Sequence, residues 1–103
     1  MILKVGMKLR SQVSDTEVII VNAPANADID IRCGGHLMIP ADQLPNIGLD
    51  IEDPAQGDAE LGKRYSNSDR SIELLVVKAG TGSFEAEDVP LTLRPTKLLP
   101  ASD

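Results

Sequence analysis

Residues 6–23, GMKLRSQVSDTEVIIVNA, align without a gap with residues 62–79, GKRYSNSDRSIELLVVKA. Glu17 then aligns with Glu73, and the aliphatic runs VIIV and LLVV that follow them coincide. Short aliphatic runs bounded by polar turn residues are typical of β-strands. The two stretches therefore predict two similar β units, produced by an internal duplication and related by a pseudo-twofold axis.

Each unit continues into a segment in which apolar and polar residues alternate. The first is DIDIR at residues 28–32, and the second is SFEAE at residues 83–87. Strict alternation indicates a strand with one buried face. Allowing one deletion, the alignment places Ile29 on Phe84, and a tight turn and a last short strand complete each unit.

The pattern as a whole predicts an all-β domain, either a small barrel or a sandwich built from two similar units. A chain of 103 residues forms a single domain, and its one Tyr, one Phe and absent Trp require an aliphatic core. The expected organisation is unit one at 6–40, a linker at 41–61, unit two at 62–95 and a C-terminal tail at 96–103.

Two finer expectations concern the linker and the core. The linker is acidic and rich in Pro and Gly, and its end predicts one short helix, with Asp53 as N-cap, Pro54 at the first helical position and Gly62 beyond the last turn. The aliphatic runs are predicted to be buried on both faces. This interpretation places four residues at the centre of the core: Ile19, Val21, Leu75 and Val77.

Composition excludes several classes of partner. The formal net charge is −6, and such an acidic surface repels nucleic acid and anionic membranes. Aromatic platforms for stacking bases are missing, since Tyr65 and Phe84 are the only aromatic residues besides the single His. We expect no nucleic-acid and no membrane partner.

The first eleven residues hold too short an apolar run for a signal peptide, and a single cysteine suits a reducing compartment, so we expect a cytoplasmic protein.

The stretch RCGGHLMIP, residues 32–40, contains the only cysteine and the only histidine of the chain. One interpretation is chemical: Cys33 is a nucleophile, His36 lowers its pKa or acts as a base, and the open backbone N–H groups of Gly34 and Gly35 hold an oxyanion. The other interpretation is a hairpin turn, because tight turns need the positive φ angles that glycine adopts easily, and a buried cysteine packs as a small hydrophobe.

The hairpin interpretation predicts that Cys33 is partly buried, that His36 lies near the surface, and that the two side chains point to opposite faces. Binding residues, if this tip is a site, are Arg32, Gly34, Gly35 and Met38. The chain offers one Cys and one His, too few for a closed zinc site, so we expect no metal and no cofactor.

Charged residues form two further groups. The outward acids of the alternating strands, Asp28, Asp30, Glu85 and Glu87, are candidates for a calcium site or an acid/base pair, but also suit a solvated strand face. Cations cluster near the unit starts, where they hold an anion, are solvated, or pair with Asp15, Glu17 and Glu73. These cations are Lys8, Arg10, Lys63, Arg64 and Arg70.

Three functions remain open. The first is a non-catalytic β module that acts as an accessory, assembly or ligand-binding protein, with another protein or a small molecule as partner. The second is a small enzyme or redox protein that uses Cys33 and His36. The third is a cupin-like or barrel pocket for a small apolar ligand, because IELLVVKAGTGSFEAEDVPLTLRP is similar in rhythm to a cupin strand pair, without the metal-binding residues of cupins. We expect a homo-oligomer, most simply a twofold-symmetric homodimer.

Overall fold

The computed structural model describes residues 1–44 and 58–94. Within these ranges the chain is all-β, and no described residue is helical. The strands, in chain order, are β1 (Lys8–Arg10), β2 (Glu17–Asn22), β3 (Ile31–Cys33), β4 (His36–Leu37), β5 (Ile39–Pro40), β6 (Asp58–Ala59), β7 (Arg64–Ser66), β8 (Glu73–Lys78), β9 (Gly80–Thr81), β10 (Phe84–Ala86), β11 (Val89–Pro90) and β12 (Thr92–Arg94). None of the described residues belongs to a helix with the length and hydropathy that a membrane crossing needs.

The strands form two main antiparallel sheets. The larger has six strands in the order β12-β7-β8-β2-β1-β5, and the smaller has four in the order β11-β10-β3-β4. The short strands β6 and β9 pair separately. One apolar cluster collects buried residues from both sheets, and the rings of Tyr65 and Phe84 meet in it with centroids 5.1 Å apart. The all-β class expected from the sequence is confirmed, with two sheets that share one core.

Pairing registers in the larger sheet recur with the spacing seen in the sequence. Arg10 pairs with Glu17 in the first hairpin, and Ser66 pairs with Glu73 in the second. A turn with a positive-φ glycine at its third position precedes each hairpin: Gly6 with φ of 91° and Gly62 with φ of 79°. The hydrogen bonds that close these turns run from Met7 N to Lys4 O and from Lys63 N to Glu60 O.

The smaller sheet corrects the second part of the sequence alignment. This sheet contains two hairpins, each with a two-residue tip. Cys33 and His36 flank the first tip, and Ala86 and Val89 flank the second. Aligning the two tips moves Phe84 from Ile29 onto Ile31. The segment before β10 is therefore shorter than its counterpart by three residues, where one deletion was expected, because loop length between paired strands leaves no trace in the alternating pattern.

The predicted linker helix is wrong where the structure describes it. Its start at Asp53 and Pro54 lies outside the described residues, but Asp58 and Ala59 form β6, paired with Thr81 and Gly80. Gly62, expected to follow a helix, has the positive φ that the third position of a type II turn requires. Backbone pairing with β9 and a tight turn thus take the place of the last helical turn that was expected before Gly62.

The predicted core also needs correction, because the central strands are buried on one face only. Val18, Ile20 and Leu74 are fully buried, and Val76 is buried to within one per cent. The residues that alternate with them are partly exposed and do not belong to the partly buried apolar residues that pack against the core. These residues are Ile19, Val21, Leu75 and Val77. An all-aliphatic run carries no alternation from which its inward face can be recognised.

Candidate functional site

The tip of the β3–β4 hairpin is a two-residue turn, as the sequence predicted. Gly34 and Gly35 have φ angles of 64° and 87°, the left-handed values that both central residues of a type I′ turn need. The corresponding tip between β10 and β11 reaches the same conformation without glycine, with φ of 51° at Glu87 and 64° at Asp88. The glycines of the first tip are therefore explained by the backbone conformation alone.

Cys33 and His36 lie directly opposite each other on the two strands that leave this tip. Residues directly opposite in an antiparallel ladder project from the same side, so the expectation that these two side chains point to opposite faces is wrong. Cys33 is fully buried, where partial burial was expected, and His36 is partly exposed.

The thiol of Cys33 lies in a cluster of hydroxyl groups. Burial raises its pKa above the ordinary value, and hydrogen bonds with Ser11, Thr16 and Ser14 oppose that shift only in part. The hydroxyls of Ser14 and Thr16 are 3.0 Å apart. A nucleophilic cysteine needs a lowered pKa and access to solvent, and this one has neither.

Two glycines enclose the thiol–hydroxyl cluster. A Cβ atom at Gly80 would lie 2.4 Å from Thr16 Oγ1, and one at Gly82 would lie 3.1 Å from Cys33 Sγ. Sequence reasoning missed this cluster, although three hydroxyl residues within SQVSDT, residues 11–16, were visible. Among the described residues, no group of three or more His, Cys, Asp and Glu side chains is placed to hold a metal ion.

The remaining residues of the candidate tip are separated by the fold. Arg32 is exposed on the outer side of β3, and its guanidinium NH1 donates to Gly35 O at 3.4 Å. Met38 is fully buried in the core, with its backbone N–H bonded to Ile31 O. The structure therefore does not bring these two side chains together as one binding surface.

A second candidate is the outer side of the six-stranded sheet, which sequence reasoning missed. Pairing registers run across five adjacent strands and place one residue from each directly beside the next. We call this set the outer row, and its members in order are Lys8, Ile19, Leu75, Arg64 and Arg94. Directly opposite residues share a face, so two aliphatic side chains lie between cations at both ends of the row.

Carboxylates lie beside the outer row and bind its cations. Lys8 Nζ is 3.0 Å from Glu17, and Arg64 NH1 is 3.2 Å from Glu73. The Lys8 hydrogen bond is the main cause that lowers the pKa of Glu17. These contacts confirm the expected pairing with Glu17 and Glu73 for two of the cations near the unit starts, Lys8 and Arg64. Arg94 instead donates to Ser66 Oγ and to Asn67 O.

No protein-family model, no curated protein and no solved structure shows a significant match to this chain.

Proposed function

We propose that this chain is a non-catalytic β module that acts by contact, as an accessory or assembly protein of the reducing cytoplasm. The observation that carries the proposal is the outer row, where Ile19 and Leu75 lie side by side, partly exposed and outside the core cluster. Aliphatic side chains in such a position gain from being covered by a partner. This proposal assigns the contact to the outer face of the six-stranded sheet.

A matched pair of double variants tests the proposal. Ile19→Thr with Leu75→Thr removes the aliphatic centre of the outer row and retains β-compatible side chains. Val5→Thr with Leu61→Thr makes the same kind of change at exposed turn residues, which are 66% and 64% exposed. Cross-linking in the native host is expected to capture a partner with the wild type and with the turn variant, and to lose it with the outer-row variant. Equal capture by all three proteins contradicts the proposal.

The enzyme or redox alternative depends on Cys33 and is tested separately. A buried thiol with a raised pKa is expected to react slowly with iodoacetamide throughout pH 5–9, and His36→Ala is expected to leave that rate unchanged. A rate that is already high near pH 6 and falls in His36→Ala would favour the alternative. The pocket for a small apolar ligand stays a prediction, which titration with a fluorescent fatty acid tests.

We also propose that the domain arose by internal duplication. The strand order of each sheet maps onto itself when β1, β2 and β5 exchange with β7, β8 and β12, and β3 and β4 exchange with β10 and β11. The ion pair of Lys8 with Glu17 has its counterpart in that of Arg64 with Glu73. An experimental structure in which one twofold rotation carries β2 onto β8 and also β3 onto β10 would support the duplication. Two unrelated rotations would exclude it.

A further inference from the structure

The charges beside the outer row define the chemistry of its partner. Among the described residues, this side of the six-stranded sheet carries five cations, since Arg10 and Lys78 join Lys8, Arg64 and Arg94. Its carboxylates in the same part of the chain are Glu17 and Glu73. The face is therefore net positive, although the chain as a whole carries a formal charge of −6. Such segregation of charge favours association with an anionic surface of matching shape.

The outer side of the four-stranded sheet has another character. Across the four-stranded sheet the registers place Leu37, Arg32, Glu85 and Pro90 in one outer row, and the acidic turn Glu87-Asp88 lies at the end of its hairpin. Only one of these outward residues is a cation. Among the described residues, the outer side of the six-stranded sheet is therefore more positive than that of the four-stranded sheet.

Two cations of the outer row, Lys8 and Arg64, remain accessible despite their ion pairs. The side chains of Lys8 and Arg64 are 50% and 56% exposed, while those of Glu17 and Glu73 are 22% and 13% exposed. The carboxylates therefore lie closer to the sheet and the cations project above them. A lysine ammonium has three donors and a guanidinium has five, so each cation retains donors for a second carboxylate.

Resting on the function proposed above, we infer that the partner is a segment of another protein in which aliphatic residues are flanked by carboxylates. Lys8 and Arg64 lie on strands three spacings apart, which corresponds to about 14 Å. An extended chain covers that distance in about four residues, so acidic residues about four positions apart would reach both cations, with the aliphatic residues between them resting on Ile19 and Leu75. A second copy is disfavoured, because packing two such faces together opposes like charges.

A random dodecapeptide display library provides a defined probe for this inference. Selection on the wild-type chain is expected to enrich peptides with two or more carboxylates and with aliphatic residues between them. A synthetic peptide of the enriched sequence is expected to bind at least about tenfold more weakly in 0.5 M salt than in 0.05 M salt, because exposed charge pairs are screened. Enrichment of neutral or basic peptides, or no enrichment at all, overturns the inference.

Matched charge variants locate the binding site. Lys8→Gln with Arg64→Gln is expected to weaken the peptide at least about threefold, since each exposed ion pair contributes modestly. Lys4→Gln with Arg70→Gln makes the same change in net charge at cations outside the strands and is expected to have no effect. Equal weakening by both variants overturns the inference. The inference is also overturned if the wild type binds phosphatidylserine vesicles, oligothymidylate or a second copy of itself, and if Lys8→Gln with Arg64→Gln abolishes that binding.

Failure of this inference is distinguishable from failure of the proposed function. If the Ile19→Thr and Leu75→Thr double variant loses the cross-linked partner while Lys8→Gln with Arg64→Gln retains it, the contact function stands and the acidic partner is wrong. If neither double variant changes the capture, both proposals fail.

Discussion

Leu74 and Leu75 offer a direct test of which face of the central strands is buried. They are adjacent in β8, and truncation to Ala removes the same atoms from each. Leu74 is fully buried in the shared core, whereas Leu75 is partly exposed in the outer row. The pair therefore separates burial from chemical identity and from position in the strand.

The expected costs differ because only one truncation leaves a cavity. Leu74→Ala is expected to lower the free energy of unfolding by about 3 kcal/mol, from lost transfer free energy and an unfilled cavity. Leu75→Ala is expected to cost about 1 kcal/mol or less, because its side chain keeps contact with water in the folded state. Small domains have total stabilities of about 5–15 kcal/mol, so both variants are expected to fold.

Urea denaturation followed by far-ultraviolet circular dichroism measures both costs, since the chain has no Trp for fluorescence. With a slope of about 1–3 kcal/mol per molar, Leu74→Ala is expected to move the midpoint by roughly 1–3 M. Ile20→Ala and Ile19→Ala repeat the comparison in β2, where Ile20 is fully buried and Ile19 is partly exposed. Equal costs at Leu74 and Leu75 would refute one-sided burial and restore a strand buried on both faces.

Three further predictions concern the tip of the β10–β11 hairpin, the ion pair of Lys8 with Glu17, and the oligomeric state. Glu87→Gly is expected to stabilise the fold by up to about 1 kcal/mol in thermal unfolding, because a left-handed conformation strains any residue with a Cβ. The control Glu85→Gly, in the adjacent strand β10, is expected to destabilise the fold. Lys8 lowers the pKa of Glu17, so this ion pair stabilises the folded state at pH values above the ordinary carboxyl pKa. That stabilisation is lost as the pH falls through the lowered pKa of Glu17. When the free energy of unfolding is measured as the pH is lowered, Lys8→Gln is expected to remove that loss of stability. A dependence on pH that is the same as in the wild type contradicts the role of Lys8. The homodimer expected from the sequence stays a prediction, and light scattering that shows a monomer at high micromolar concentration would rule it out.

Several features of the fold were predictable because their cause is local in the chain. The alternation in DIDIR, residues 28–32, identified the buried side correctly, since Ile29 and Ile31 are buried while Asp28 and Asp30 are exposed. Two consecutive glycines likewise predicted the tip at Gly34, because few other residues adopt two successive left-handed conformations. Period and turn chemistry are properties of a few neighbouring residues, so a sequence displays them directly.

Other features depended on partners distant in sequence. The inward face of VIIV, residues 18–21, is set by pairing with β8, and no polar residue within the run marks it. The environment of Cys33 comes from hydroxyls about twenty residues earlier, beginning at Ser11, which only the sheet brings together. The cations at the two ends of the outer row, Lys8 and Arg94, belong to opposite ends of the chain. Local pattern thus determined the strands and turns, whereas register and strand order decided which side chains meet, because those depend on long-range backbone pairing.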